Sequence, residues 1–445
     1  MSLGYLGDSL PKLWCAPLLA ELTTPKQWKT IPKTALLKEG FTVYGANGEI
    51  GFFSEYTHAS PTIMITCRGA TCGNLHISKP YSYINGNAMA LDHQPIDLVG
   101  LKFLYYVLKA RGLEDTISGS AQPQITGKGL EAVRVPLPPL AEQKAIADKL
   151  DALLAQVEAT KARLERIPKI LKHFRQSVLA SAVKGDLTEE WRKSKGCTFP
   201  YINRSLSEVI FEMRNGLSSK PNAKGVGHPI LRISSVRPFT VNQDDIRNLE
   251  VSKKDEERYA ISPDDLLFTR YNGSVDFVGV CARVRSLDHP VLLYPDKLIR
   301  VRVDDNQLVP GYLELFAASQ EAREYIYSLV KSTSGQKGIS GKDLKQMRIK
   351  LPSVEEQIEI VRQVDQFFNY AERVEKQVNN ALVRINNLTQ SILAKAFRGE
   401  LTEQWRNDNP DLMSGENSAE ALLQRIKAER ERLIAQNPKR QRRSK

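Results

Sequence analysis

Arg232, Ser234, Arg237, Arg270, Tyr271 and Asn272 bring guanidinium, hydroxyl, phenol and amide groups to strand ends and to the turn Tyr271-Asn272-Gly273-Ser274. Such a mixture suits nucleic acid. Arginine pairs bidentately with guanine and asparagine with adenine in the major groove, and the same groups also hold phosphates. Asn47, Arg68, Thr71 and Asn74 stand in comparable places nearer the N-terminus. Gln122 and Gln336 are different, because they lie in segments that the two halves of the chain share. A shared residue cannot distinguish two sequences, so these are expected on the DNA backbone or against helices.

Catalytic chemistry has no comparable footing. GQKGISGKD (335–343) misses phosphate-loop spacing and ends in Asp, and Asn409-Pro410-Asp411 lacks the third residue of an amino-methyltransferase motif. Cys67-x4-Cys72 with His76 lacks zinc-ligand spacing and a fourth partner, so core or surface thiols are expected. Pro263-Asp264 is not followed by the Glu-x-Lys of a nuclease centre and reads as the opening of a strand. The six histidines lie far apart. The pattern implies a non-catalytic protein with no cofactor of its own.

What positions the polar loops is an internal duplication. VRVPLPPLAEQKAIADKLDALL from Val133 returns as MRIKLPSVEEQIEIVRQVDQFF from Met347, an offset of 214 residues. QSVLASAVKGDLTEEWR (176–192) returns as QSILAKAFRGELTEQWR (390–406), and SGSAQPQITGKGL (118–130) matches STSGQKGISGKDL (332–344) in the same register. After each Leu-Pro element the apolar residues step by four and three. The first series is Ile146, Leu150, Leu153, Val157, Thr160, Leu164, Ile167, Leu171, Phe174 and Val178; the second is Ile360, Val364, Phe367, Ala371, Val374, Val378, Ala381, Ile385, Leu388 and Ile392. This is a coiled-coil seam, and about 35 helical residues make a rod of roughly 50 Å. A kink is expected at Pro168, and Gly185 and Gly399 should cap the rods.

The intervening segments diverge. Phe41–Phe53 reads as a hairpin about Asn47-Gly48, 61–74 as two strands around a glycine turn at Gly69, and 98–109 as a helix. In the second segment 229–236 and 265–270 read as strands and 309–327 as a helix. The expected fold class is α+β: two similar globular α/β recognition domains separated by a long antiparallel coiled coil, related by a pseudo-twofold repeat. The blocks are 1–140, 141–195, 196–352, 353–408 and a basic tail, 409–445. A reader at each end of a helical spacer would contact two DNA segments, so the helices act as a ruler.

The net charge of +12 adds less than it promises. Residues 425–445 hold nine Lys/Arg against two Glu, so the excess sits mainly in the tail, which reads either as a solvated end or as a nucleic-acid arm. Five scattered cysteines suit a reducing compartment, and no run is apolar for the ~18 residues needed to cross a membrane. A stand-alone DNA-binding regulator, with helices that serve internal packing alone, remains an alternative at this level.

The duplicated LPPLAEQ/LPSVEEQ and GDLTEEWR/GELTEQWR segments strongly resemble the conserved regions of specificity (S) subunits of type I restriction-modification enzymes. RNGLSSKPNAKGVGHPILRISSVR (214–237), with DLLFTRYNGSVDFVGV and LLYPDKLIRVR, resembles the second target-recognition domain of type IA members, and adds Arg214 and Lys220 to the residues expected on DNA. VYGANGEIGFFSEYTHASPTIMITCRGATCGN resembles recognition domains elsewhere in the family. The resemblance covers essentially the whole chain. It implies double-stranded DNA as ligand, with each domain reading one half of a split, asymmetric site. It also implies two methyltransferase subunits that use S-adenosylmethionine to methylate adenine N6, two restriction subunits that use ATP and Mg, and a cytoplasmic, nucleoid-associated bacterial setting.

Overall fold

The computed structural model describes residues 3, 6, 10–119, 122–196, 201–222, 225–333 and 336–436, with backbone alone at 332, 333 and 336. Upstream of the first long helix the chain forms short strands closed by turns. In order come α1 (Leu19–Leu22), β1 (Thr24–Gln27), β2 (Phe41–Gly45), β3 (Gly48–Phe53), β4 (Ile63–Thr66), β5 (Leu75–Ile77), β6 (Tyr83–Ile84), β7 (Ala88–Asp92), α2 (Leu101–Arg111) and α3 (Gly127–Glu131). The main sheet, ordered β1-β7-β4-β5, is antiparallel throughout. Every residue of its central strands β4 and β7 is buried, which explains why IMIT and AMALD are apolar up to one terminal polar residue each, Thr66 and Asp92. The hairpin at 41–53 is present, but Gly48 already pairs with Gly45, so Ala46 and Asn47 form its tip. The second strand expected within 61–74 begins only at Leu75, because residues 67–74 form a loop.

The two rods start where the Leu-Pro elements end. The first is broken into α4 (Leu140–Leu164) and α5 (Ile167–Lys184), followed by α6 (Glu189–Lys195). The break precedes Pro168, which sits in the first turn of α5, where a missing N–H strands no carbonyl.

The second variable segment holds β8 (Ile202–Ser205), β9 (Ile210–Asn215), β10 (His228–Leu231), β11 (Val236–Arg237), β12 (Thr240–Val241), β13 (Ile246–Leu249), α7 (Lys253–Tyr259), β14 (Leu266–Thr269), β15 (Tyr271–Asn272), β16 (Cys281–Arg283) and β17 (Leu298–Val303). It continues with α8 (Pro310–Ala318), α9 (Gln320–Leu329), β18 (Lys331–Thr333), β19 (Gln336–Gly338), α10 (Gly341–Lys345) and β20 (Arg348–Leu351). Its main sheet is again four-stranded and antiparallel, ordered β16-β14-β17-β9. Asp264, in the left-handed region at φ 67, lies in the turn two residues before β14. Two expectations are corrected. The strand at 229–236 stops at Leu231, because the Ser235 hydroxyl accepts the Arg232 N–H and folds 233–235 into a tight turn. The helix at 309–327 is two helices, since the Ser319 hydroxyl accepts the Ala322 N–H and starts α9 afresh.

The chain closes with α11 (Val354–Phe397), α12 (Glu403–Asp408) and α13 (Ala419–Ala435). Of the basic tail, 419–435 is neither a solvated end nor an arm. Leu422 and Ile426 are fully buried in the first core, and Arg430 donates to the carbonyls of Ala20 and Thr23. Residues 437–445 and Cys197 lie outside the described residues.

Two compact units result, one of 1–164 with 380–445 and the other of 165–379. Each takes one part from each copy of the repeat. In the first, Ile146, Leu150 and Leu154 of α4 share a core with Leu393, Ala396 and Phe397 of α11. Glu142, fully buried, accepts from Trp14 Nε1 at 2.8 Å, Thr402 Oγ1 at 2.6 Å and Arg406 Nη1 at 2.5 Å. In the second unit Glu356 accepts from Tyr201 Oη at 2.8 Å, Thr188 Oγ1 at 2.6 Å and Arg192 Nη1. LPPLAEQ therefore bonds to GELTEQWR, and LPSVEEQ to GDLTEEWR, so the start of each rod lies beside the end of the other copy's rod. The neighbouring glutamines act alike: Gln143 accepts the Gly100 N–H before α2 and Gln357 accepts the Val309 N–H before α8, fixing a module helix to each rod.

The heptad seam departs from a strict stripe. Thr160, Phe367 and Leu388 are exposed, and Leu154 is buried more deeply than Leu153. A straight helix drifts about 20° per heptad from a seven-residue repeat, so an unbroken 4-3 register overstates contact. Gly185 and Gly399 end the helices at φ 86 and 77. A Cβ at Gly185 would fall 2.5 Å from Tyr201 Oη, and one at Gly399 2.3 Å from Pro11 Cγ, so both sites exclude larger residues twice over.

Candidate nucleic-acid interface

In the first unit the loop after β4 is held at its base. The Gly73 N–H donates to Thr66 O and the Thr66 N–H to Asn74 O, both at 2.8 Å. Within it, Gly69 and Gly73 adopt φ 88 and 94, which turn the chain back on itself. The Thr66 hydroxyl donates to Ala46 O and the Thr71 hydroxyl to Asn47 Oδ1, which ties the loop to the hairpin tip. On its other side the repeated segment supports it, through Ile125 N–H to Cys67 O at 3.1 Å and a bridge between Arg68 and Gln124. Asn47, Arg68, Thr71 and Asn74 are thus gathered at one end of the sheet, with Asn47, Arg68 and Asn74 exposed. Gln122, also exposed, lies in the supporting segment. Cys67 is fully buried, its thiol donating to Asn87 O at 3.1 Å, and burial pushes the Cys72 thiol up.

The second unit builds its loop after β14. The Thr269 N–H donates to Val280 O at 2.9 Å and the Gly279 N–H to Thr269 O at 2.8 Å. Within the loop the Arg270 guanidinium lies 4.8 Å from the Tyr271 ring centroid, and the Lys297 ammonium lies 5.7 Å from the same ring. Asn272 Oδ1 accepts the Ser274 N–H at 3.1 Å, and its amide nitrogen donates to no described residue, so that donor pair stays available. Tyr271 and Asn272 pair with Gly338 and Lys337 of the repeated segment. Arg237 joins this site from outside, its guanidinium 4.7 Å from the Phe277 ring.

The remaining residues stand apart from that loop. Arg232 and Ser234 converge on Asp245, Arg232 at 2.8 Å, and the Ser234 hydroxyl with the Arg232 guanidinium holds that carboxyl below its ordinary range against its burial. Arg214, within β9, is ion-paired to Glu212 and donates to Arg258 O at 3.2 Å. Lys220 is exposed, and of Gln336 the backbone alone is described, in β19. Nothing local in sequence announces Asp245 as a partner, because the contact comes from the pairing of β10 with β13. The structure adds four polar residues at the loops: Asn87 and Gln124 in the first, Lys297 and Lys337 in the second. Each touches its loop through sheet pairing or a backbone bond, which sequence spacing does not reveal.

Two sheet-and-loop modules, each offering arginine and asparagine beside a repeated supporting segment and followed by a heptad-patterned rod, are the fold of a DNA-specificity protein. Residues 19–169 and 197–384 match the family described as type I restriction modification DNA specificity domain. The chain is 56% identical over 341 residues to the specificity subunit of the type I restriction enzyme EcoKI of Escherichia coli K12, covering 76% of this chain and 73% of that one. It is 42% identical to the StySPI specificity subunit of Salmonella potsdam, covering 81% and 75%, and 35% identical to the EcoDI specificity subunit of Escherichia coli, covering 91% and 96%. Among solved structures, one described as the structural basis of complex assembly and conformational transition of the type I R-M system aligns with a TM-score of 0.65 at 19% identity, over 88% of this chain and 99% of that one. The HsdS subunit of Thermoanaerobacter tengcongensis aligns with a TM-score of 0.51 at 20% identity, over 88% and 98%.

The chain belongs to the specificity subunits of type I restriction-modification systems. It is the DNA-recognition component of such a complex and not its catalyst. Among the described residues no helix is long and apolar enough to cross a membrane.

Proposed function

We propose that this subunit reads a split, asymmetric DNA site, the first module one half and the second the other. The loops at 67–74 and 270–279 supply base contacts, and Lys297, Lys337, Gln122 and Gln124 supply backbone contacts. In this reading α4, α5 and α11 form an antiparallel coiled coil with an approximate twofold relation, which sets the spacer and docks two methyltransferase and two restriction subunits. Those partners, in the bacterial cytoplasm, would use S-adenosylmethionine for adenine N6 methylation, and ATP with Mg for restriction. The observation that carries the reading is that each unit presents one clamped polar loop whose support is repeated while its side chains differ.

The test is an exchange of residues 200–346 for another module, with methylated adenines mapped in cells that carry the full system. One half of the recognised site should change and the other persist. Change in both halves, or in neither, refutes the reading. A matched heptad added to α4 and α11 adds about 10 Å, close to three base pairs at about 3.4 Å each, and should lengthen the spacer accordingly.

A further inference from the structure

The backbone bonds that fix the two loops correspond one for one. Thr66 and Thr269 each end a central strand and accept from a left-handed glycine, Gly73 or Gly279. Cys67 O accepts from Ile125 as Arg270 O accepts from Ile339, at 3.1 and 3.0 Å. Ile125 and Ile339 are partners at the 214-residue offset. One step further, Arg68 bridges to Gln124 and Tyr271 pairs with Gly338, and Gln124 and Gly338 are again partners at that offset. Arg68 and Tyr271 therefore hold the same place in the two modules. Their loops differ in length, 67–72 against 270–278, so the repeat in the sequence does not align them.

The place is filled by opposite chemistry. Arg68 offers an exposed guanidinium, suited to the two acceptors on the guanine edge. Tyr271 offers a ring flanked by two cations, suited to apolar contact with a base and attraction to the neighbouring phosphates. The ring lies across the backbone of residue 338. A Cβ there would fall 2.3 Å from Tyr271 Cδ1, so Gly338 determines where the ring can sit.

The geometry points to Arg68 and Tyr271 as equivalent specificity-determining residues, one per half-site, with Gly338 as the positioning residue for Tyr271. This rests on the bipartite reading above. The experiment uses the complete methyltransferase complex on a library of randomised sites. Arg68→Ala relaxes base preference roughly tenfold or more at one or two adjacent positions of one half-site, the range of a lost bidentate contact, and leaves the other half intact. Tyr271→Ala does the same in the other half. Gly338→Ala reproduces the Tyr271→Ala profile, and adds nothing to it in the double variant, where no ring remains to be displaced.

Unchanged preferences in both single variants overturn the inference. So does a uniform loss of methylation across all sites, which marks a phosphate contact, or an additive effect of Gly338→Ala on Tyr271→Ala. Retained selectivity in the unaltered half shows that each variant is folded. If exchange of 200–346 alters one half and Tyr271→Ala leaves that half untouched, this inference fails while the bipartite reading stands. If the exchange alters both halves, the bipartite reading itself fails.

Discussion

Glu142→Ala should destabilise the first unit by about 3–5 kcal/mol, the usual cost of removing one partner of a buried ion pair. Glu142 is 0% exposed and the Arg406 side chain 13%, so solvent screens the pair little. The substitution leaves the Trp14 N–H, the Thr402 hydroxyl and the Arg406 guanidinium without their common acceptor. Three donors bonded to one carboxylate favour the upper part of the range. Arg406→Ala alone should cost a similar amount, because it strands the carboxylate. The double variant should cost clearly less than the sum, with a coupling of about 1–3 kcal/mol, since neither charge is then stranded. The assay is urea denaturation of the four proteins of the cycle, with hydrogen exchange at the start of α4 and at 399–406 to localise the loss. A cost below about 1 kcal/mol, or strict additivity, would refute the account of Glu142 as the bond that closes the exchanged repeat.

Three further outcomes follow from the packing. Truncation after Ser418 removes Leu422 and Ile426 from the first core, and at about 1.5–3 kcal/mol per buried side chain should cost about 3–6 kcal/mol in a denaturant titration. Arg300→Ala should destabilise the second unit by about 3–5 kcal/mol, because Arg300 is almost wholly buried and bonds Glu212 at 2.6 Å and Ala260 O at 2.5 Å. Burial pushes the Glu212 carboxyl up, but Arg300, Arg214 and Arg302 outweigh it and hold the carboxyl below its ordinary 4.5. The stability Glu212 contributes is therefore present above pH 4.5 and lost as the pH falls, and Arg300→Ala should flatten that acid limb. Burial, reinforced by Glu420, pushes the Cys15 thiol up to about 11, and burial raises Cys281 well above the ordinary thiol. Both should resist alkylation at about pH 8 in the native chain and react on unfolding, Cys15 speeding up as the pH approaches 11. Rapid native labelling of either, Cys15 half-buried and Cys281 buried, would contradict this protection.

The duplication, the helical rods, the glycine caps and the absence of familiar catalytic motifs could all be read from the residues in order, because each is a matter of local spacing or of a repeat at fixed offset. Periodicity located the rods but not which heptad positions touch, since that depends on drift and on where Pro168 breaks the first one. Arg68 and Tyr271 could each be picked out as polar loop residues. Their equivalence could not, because it is written in backbone bonds to Gln124 and Gly338 across loops of unequal length. Arg232, Ser234 and Arg214 looked alike to the other arginine and polar loop residues until strand pairing brought Asp245 beside the first two, and the extended backbone of β9 set Glu212, two residues away, against Arg214. The exchange of the repeat belongs to tertiary structure alone: GELTEQWR follows LPPLAEQ by some 260 residues, and only folding delivers Arg406 to Glu142. Sequence determined what each segment is able to form; long-range pairing of buried charge, which no local spacing encodes, decided which copies meet.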